Sequence, residues 1–253
     1  MVFDDADLEA AARGAVAGSL INAGQDCTAA TRAYVQRPLY DAFIGRVAEL
    51  MAQVVIGPID DPATDLGSLI SVKHRDSVAA MVDRARVAGA KVVTGGRAGT
   101  GALENGAYYE PTLVVDAAQD SEIVQEEIFG PVLVALPFDD DDQGLDLAND
   151  TPYGLAASAW TSSVFRAQRA STNIAAGCVW INDHIPIISE MPHGGYKASG
   201  FGKDMSTYSL DEYTQVKHVM SALSPQPRKS WHDIVFTTEA DHPGDGDSRI
   251  MTA

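Results

Sequence analysis

The stretch "NAGQDCTAATR", Asn22 to Arg32, carries the first of only two cysteines in a chain of 253 residues. Cys27 follows a small-residue segment of helical spacing and precedes a strand-like "RAYVQ". A thiolate in such a loop can attack a carbonyl carbon, and its own backbone N–H can help to hold the oxyanion that forms. Asp26 works against this, because a neighbouring negative charge raises a thiol pKa, so activation needs a base. A lone cysteine is as readily a small core hydrophobe, and local chemistry leaves both readings open. Cys178, inside the apolar "CVWIN", reads as structural.

Other chemistries find less support. The six histidines, His74, His184, His193, His218, His232 and His242, show no paired ligand spacing, so no metal site is expected. "GFGKDM" lacks the third glycine of a dinucleotide fingerprint, and no phosphate-binding G-x-x-x-x-G-K-[ST] surrounds Lys203. The glycines of "MPHGGYKASGFGKD" read as permitting tight turns. His74 is expected on a solvated helix surface.

The elements that must position Cys27 follow from local pattern. A first helix, capped by Asp4 or Asp5, repeats Leu8, Ala11, Ala15, Gly18 and Asn22, a small face that packs close to a neighbour. Gly24 is its stop. Pro38 opens a second helix, with Leu39, Phe43, Val47, Leu50 and Val54 inward. After the loop "GPIDDPATDLG", a third runs from His74 to Ala88. Strands follow at "KVVTGG", "YYEPTLVV", "PVLVALPF", "YGLAASAWT" and "CVWIN", with helices around Glu122 to Glu127, at "DQGLDLAND" and at "VFRAQRASTN". This alternation, with several strands almost wholly apolar, predicts an α/β fold whose mostly parallel sheet is flanked by helices. "YTQVKHVMSAL" reads as a late strand, and the polar stretch from Ser224 as a flexible tail.

Composition bounds the partners. With 35 acidic and 18 basic residues the formal charge is −17, which argues against nucleic acid and anionic membrane. No apolar run approaches a membrane span, and the acidic start "MVFDDADLEAA" lacks the features of a signal peptide. Two distant cysteines form no disulfide framework, so a reducing, cytoplasmic setting is expected.

Taken in order, the segments resemble one family, the aldehyde dehydrogenases. "NAGQDCTAATR" is similar to its active-site cysteine motif and "QEEIFGPV" to its Glu-x-Phe-Gly-Pro motif. "NDTPYGLAASAWT", "AGCVWIND", "PHGGYKASGFGKD" and "LDEYTQVKHV" match later blocks, over roughly Val2 to Leu223. "GQDC" with "MPHGGYKASGFGKDMS" is closest to the aminobutyraldehyde and betaine-aldehyde branch. The resemblance implies that Cys27 is the nucleophile of a thiohemiacetal and thioester route from aldehyde to acid, with NAD or NADP as cofactor. It implies that Glu127 holds the nicotinamide ribose, that Phe129 packs near the nicotinamide, and that Asn182 and His193 fall near the substrate tunnel. Asp26 then either favours aldehydes with a distal cationic amine or simply caps a turn.

Family members are about twice this length. The half that precedes these motifs carries the Rossmann-type cofactor domain, the oxyanion-hole asparagine and the general-base glutamate of an "ELGGK"-like motif. The expectation is therefore a catalytic half at residues 1–212, an oligomerisation strand at 213–223 and the tail at 224–253. Its expected partners are a small-molecule aldehyde and either further copies of itself or a chain supplying the cofactor domain. Three alternatives accompany it: a split enzyme, a non-catalytic subunit that adds its strand to a full-length relative, and a cysteine hydrolase with His193 as base.

Overall fold

The computed structural model describes residues 1–224 and 226–236. Met1–Thr214 form one unit. Its largest sheet joins β1 (Arg32–Gln36), β2 (Lys91–Thr94), β3 (Thr112–Val115) and β4 (Val132–Phe138) in the order β1-β4-β3-β2. The β1–β4 and β4–β3 pairs are parallel, and β2 adds antiparallel at the edge. β3 is buried along its length and β4 at all but Pro137, the condition of strands covered on both faces. β5 (Tyr153–Gly154) pairs with β8 (Tyr196–Lys197) in the glycine-rich loop, and β6 (Ala156–Ala159) runs parallel to β7 (Cys178–Ile181).

The first three residues tie these parts together. Val2 forms parallel bridges to both Val35 and Trp160. Its N–H donates to the Tyr34 carbonyl at 2.7 Å, its carbonyl accepts from Gln36, and the Phe3 N–H donates to Trp160. Val2 is thus a rung between β1 and the residue that follows β6. The mostly parallel α/β architecture is as the alternation predicted.

The helices are α1 (Leu8–Leu20), α2 (Arg37–Ala52), α3 (Val72–Val87), α4 (Glu122–Gln125), α5 (Asp141–Asn149), α6 (Val164–Asn173) and α7 (Ser206–Glu212). The small face of α1 is buried at Ala11, Ala12, Ala15 and Gly18. A Cβ added at Gly14 would stand 2.3 Å from the Trp160 ring, so lack of bulk is what lets β6 and its neighbours approach. Phe43 and Val47 of α2 and Val78 and Val82 of α3 are almost wholly buried, each contributing about 1.5–3 kcal/mol by removal from water.

Two local expectations need correction. Asp7, not Asp4 or Asp5, caps α1 by accepting from the Ala10 N–H at 2.9 Å. Asp4 and Asp5 instead meet Arg166 of α6, at 2.6 and 3.0 Å, drawn there by the rung that precedes them. The late strand over Tyr213–Ala222 is also not one: Tyr213 closes α7, and no residue that follows it pairs with a strand among the described residues. A strand exists only through a ladder to a neighbour, and α7 takes the start of this segment. The second unit begins at Gln215; it contains a 3₁₀ turn, Ser230–Ile234, beside an Arg228–Asp233 ion pair at 2.8 Å. The rest of the expected tail, 237–253, lies outside the described residues.

Candidate active site

The helix before Cys27 ends abruptly. Asn22, Ala23 and Gly24 all adopt left-handed backbone, with φ of 50°, 55° and 72°. Such geometry costs a non-glycine residue about 1–2 kcal/mol, and local hydrogen bonds hold it here. Asn22 Nδ2 donates to the Gln25 carbonyl at 2.8 Å, and Gln25 Nε2 donates back to the Asn22 carbonyl at 3.1 Å. Asp26 Oδ1 then accepts from the Thr28 N–H at 2.7 Å and the Thr28 hydroxyl at 2.5 Å. Asp26 is therefore committed to the turn, as the capping reading had it.

Cys27 emerges from this turn exposed, on the wall of a cavity of about 370 Å³. The same cavity is lined by Asp26, Arg32, Glu127, Phe129, Tyr153 and His184. Its backbone N–H donates to no carbonyl among the described residues and lies against its own sulfur. Burial pushes the thiol above its ordinary pKa of 9.0, and the charge of Asp26 adds to this, with smaller contributions from Glu127 and Asp204. The contribution of Asp26 has the direction that the sequence suggested.

The loop after α4 also lines this cavity, through Glu127 and Phe129. Phe129, at φ 55°, presents its carbonyl to His74 Nε2 at 2.7 Å, and the two rings meet edge to face with centroids 6.4 Å apart. His74 is thus a half-buried donor of α3, not a solvated surface residue. α3 brings it there because its cap, Ser71, accepts from the His74 N–H. The Glu127 carboxylate is exposed and has no hydrogen-bond or ion-pair partner among the described residues.

Of the residues singled out in the sequence, Asp26, Cys27, Glu127 and Phe129 come together around the cavity, whereas Asn182 and His193 do not line it. Asn182 clamps Thr161, its Nδ2 donating to the carbonyl and its Oδ1 accepting from the N–H, both at 2.8 Å. His193 Nδ1 lies 3.0 Å from Asp204 Oδ1, and its Nε2 is buried without a partner among the described residues. Two cavity residues escaped sequence reasoning. His184 bridges Thr28 and Ser158, and burial holds its pKa below the ordinary 6.5. Arg32 extends toward the Tyr153 ring, 5.9 Å away, and makes no ion pair among the described residues. The only signals were a polar pair, Asp183 and His184, just past the apolar strand β7, and a cation opening the buried strand β1.

A parallel α/β sheet that sets a cysteine turn against a Glu-x-Phe-Gly-Pro loop defines a class, and the comparisons agree on which. The sequence model of the aldehyde dehydrogenase family matches residues 1–219, and the chain belongs to that family. Among its relatives is the betaine aldehyde dehydrogenase of Sinorhizobium fredii, 41% identical over 219 residues, which are 87% of this chain and 45% of that protein. That of Bacillus subtilis is 40% identical over 226 residues, 89% and 46% of the two. The crystal structure of betaine aldehyde dehydrogenase from Staphylococcus aureus, in complex with NAD+, superposes with a TM-score of 0.85 at 36% identity, over 89% of this chain and 45% of that one. The chain spans about half the length of the relatives it matches. No helix among the described residues is long and apolar enough to cross a membrane, and no three His, Cys, Asp or Glu side chains there could hold a metal.

Proposed function

We propose that these residues are the catalytic half of an enzyme that oxidises an aldehyde, of the amino-aldehyde class, to the carboxylic acid. The observation that carries this is the exposed Cys27 thiol on the wall of a cavity that Glu127 and Phe129 also line. Sγ attacks the aldehyde carbon to give a thiohemiacetal, and the Cys27 N–H, which donates to no carbonyl among the described residues, is the donor we assign to the developing oxyanion. When bound, NAD or NADP supplies the acceptor for the hydride that leaves this carbon. Water then cleaves the thioester, releasing the acid and returning the thiol to Cys27.

Two features of that loop fit a nicotinamide nucleotide. Glu127 offers an uncommitted carboxylate, the acceptor a ribose diol needs, and Phe129 an aromatic face fixed by His74. Activation of the raised thiol needs a base. Asp26 spends its Oδ1 on Thr28. On this reading the base and the dinucleotide domain belong to the half of the relatives that these residues do not match. The amino-aldehyde class rests on relatives named for betaine aldehyde, not on Asp26. The hydrolase alternative has no observation in its favour, since His193 is paired to Asp204 outside the cavity lining.

NADH formation from aminobutyraldehyde tests this reading. The chain alone is expected to be nearly inactive, a chain supplying the cofactor domain to restore turnover, and Cys27→Ala to abolish it. Full turnover by the chain alone, or restored turnover that survives Cys27→Ala, would overturn it.

A further inference from the structure

Segments 156 residues apart in the chain meet at one imidazole. His184 Nε2 lies 2.9 Å from the Thr28 carbonyl oxygen, and Nδ1 lies 3.2 Å from Ser158 Oγ. A carbonyl only accepts, so Nε2 carries the hydrogen and Nδ1 accepts from the Ser158 hydroxyl. The ring has little freedom to leave. A Cβ at Gly18 would stand 2.6 Å from His184 Cδ2, and the Trp180 ring packs edge-on with centroids 5.0 Å apart. Asp26 holds the Thr28 N–H and hydroxyl, so every polar group of Thr28 is taken. The peptide between Cys27 and Thr28 is pinned by Asp26, and the next one by His184.

We propose that His184 is a positioning residue for the nucleophile: through the Thr28 carbonyl it ties the Cys27 turn to β6 and fixes the backbone from which the thiol projects. The importance of that turn rests on Cys27 being the nucleophile; the pin itself does not. A neutral imidazole with hydrogen on Nε2 is the form that satisfies both partners at once, which gives the residue a chemical signature as well as a mechanical one.

Amide hydrogen exchange over residues 24–31 of the full chain tests this, with β4 as the internal reference. His184→Leu is expected to speed exchange there about tenfold while β4 stays protected, the loss of one buried hydrogen bond. His184→Gln, whose amide N–H can reach the position of Nε2, should restore protection, whereas the shorter His184→Asn should not. Nitrogen NMR of the wild type should show the Nε2–H tautomer. Unchanged exchange in His184→Leu, equal exchange in the Gln and Asn variants, or the Nδ1–H tautomer would each overturn the proposal. Should His184→Leu unfold, the Gln and Asn pair decides. Exchange does not depend on turnover, so a failed pin and a failed nucleophile give separate results.

Discussion

A Cβ on Gly24 would stand 2.1 Å from the carbonyl oxygen of Gly130. The turn that carries Cys27 and the loop that carries Glu127 and Phe129 therefore meet backbone to backbone, and the cavity between them exists because one residue has no side chain.

Gly24→Ala is expected to lower stability by at least about 2 kcal/mol, from strain at φ 72° plus a clash with backbone that cannot swing aside. Gly130→Ala should cost less, about 1 kcal/mol, because its Cβ would meet the Val78 side chain, 2.7 Å away but able to adjust. Urea unfolding of the two variants checks the order, and equal losses would contradict the backbone contact.

Cys27 should react slowly with iodoacetamide at neutral pH, and its rate should keep climbing beyond pH 9, since burial and Asp26 both raise its pKa. Asp26→Asn removes the charge but keeps an oxygen for the Thr28 N–H. Alkylation at about pH 8 should then rise severalfold, because less of the thiol is held protonated. Peptide mapping by mass spectrometry separates Cys27 from Cys178. An unchanged rate would mean that Asp26 does not act on the thiol.

Burial lowers the His184 pKa from its ordinary 6.5. The unfolded chain therefore takes up this proton at a higher pH than the folded one. The stability linked to His184 is intact above about pH 6.5 and lost as pH falls toward the folded value. Urea midpoints should fall between about pH 8 and about pH 5.5, and His184→Gln should flatten that part of the profile.

Tyr109 is 1% exposed, and its hydroxyl has no hydrogen-bond partner among the described residues. Burial pushes its pKa up to about 12. Tyr109→Phe removes an unsatisfied polar group while keeping the ring, and should raise stability by about 1 kcal/mol in thermal or urea unfolding. A loss of stability would reveal a partner for the hydroxyl.

Much of the fold was legible because it is written in near neighbours. The stripe Phe43, Val47 and Leu50, the proline opening α2 and the apolar run of β4 depend only on helical or strand period, and they form as read. Elements failed where a distant partner outweighed local pattern. Arg166 drew Asp4 and Asp5 away from the cap of α1, and Tyr213 joined α7 because the chain holds no strand for it to pair with among the described residues.

The sequence by itself determined the family, through the order of its motifs, and the cavity positions of Cys27, Asp26, Glu127 and Phe129, which lie within two short segments. Only the tertiary structure decided what those residues touch. It turned Asp26 onto Thr28, brought His74 under Phe129, left Asn182 on Thr161 and His193 on Asp204, and carried His184 to the nucleophile turn. The reason is physical: periodicity reports which face of an element is buried, but a hydrogen-bond partner is chosen by the path on which the chain returns. For His184 and Thr28 that return takes 156 residues, and no local pattern spans it.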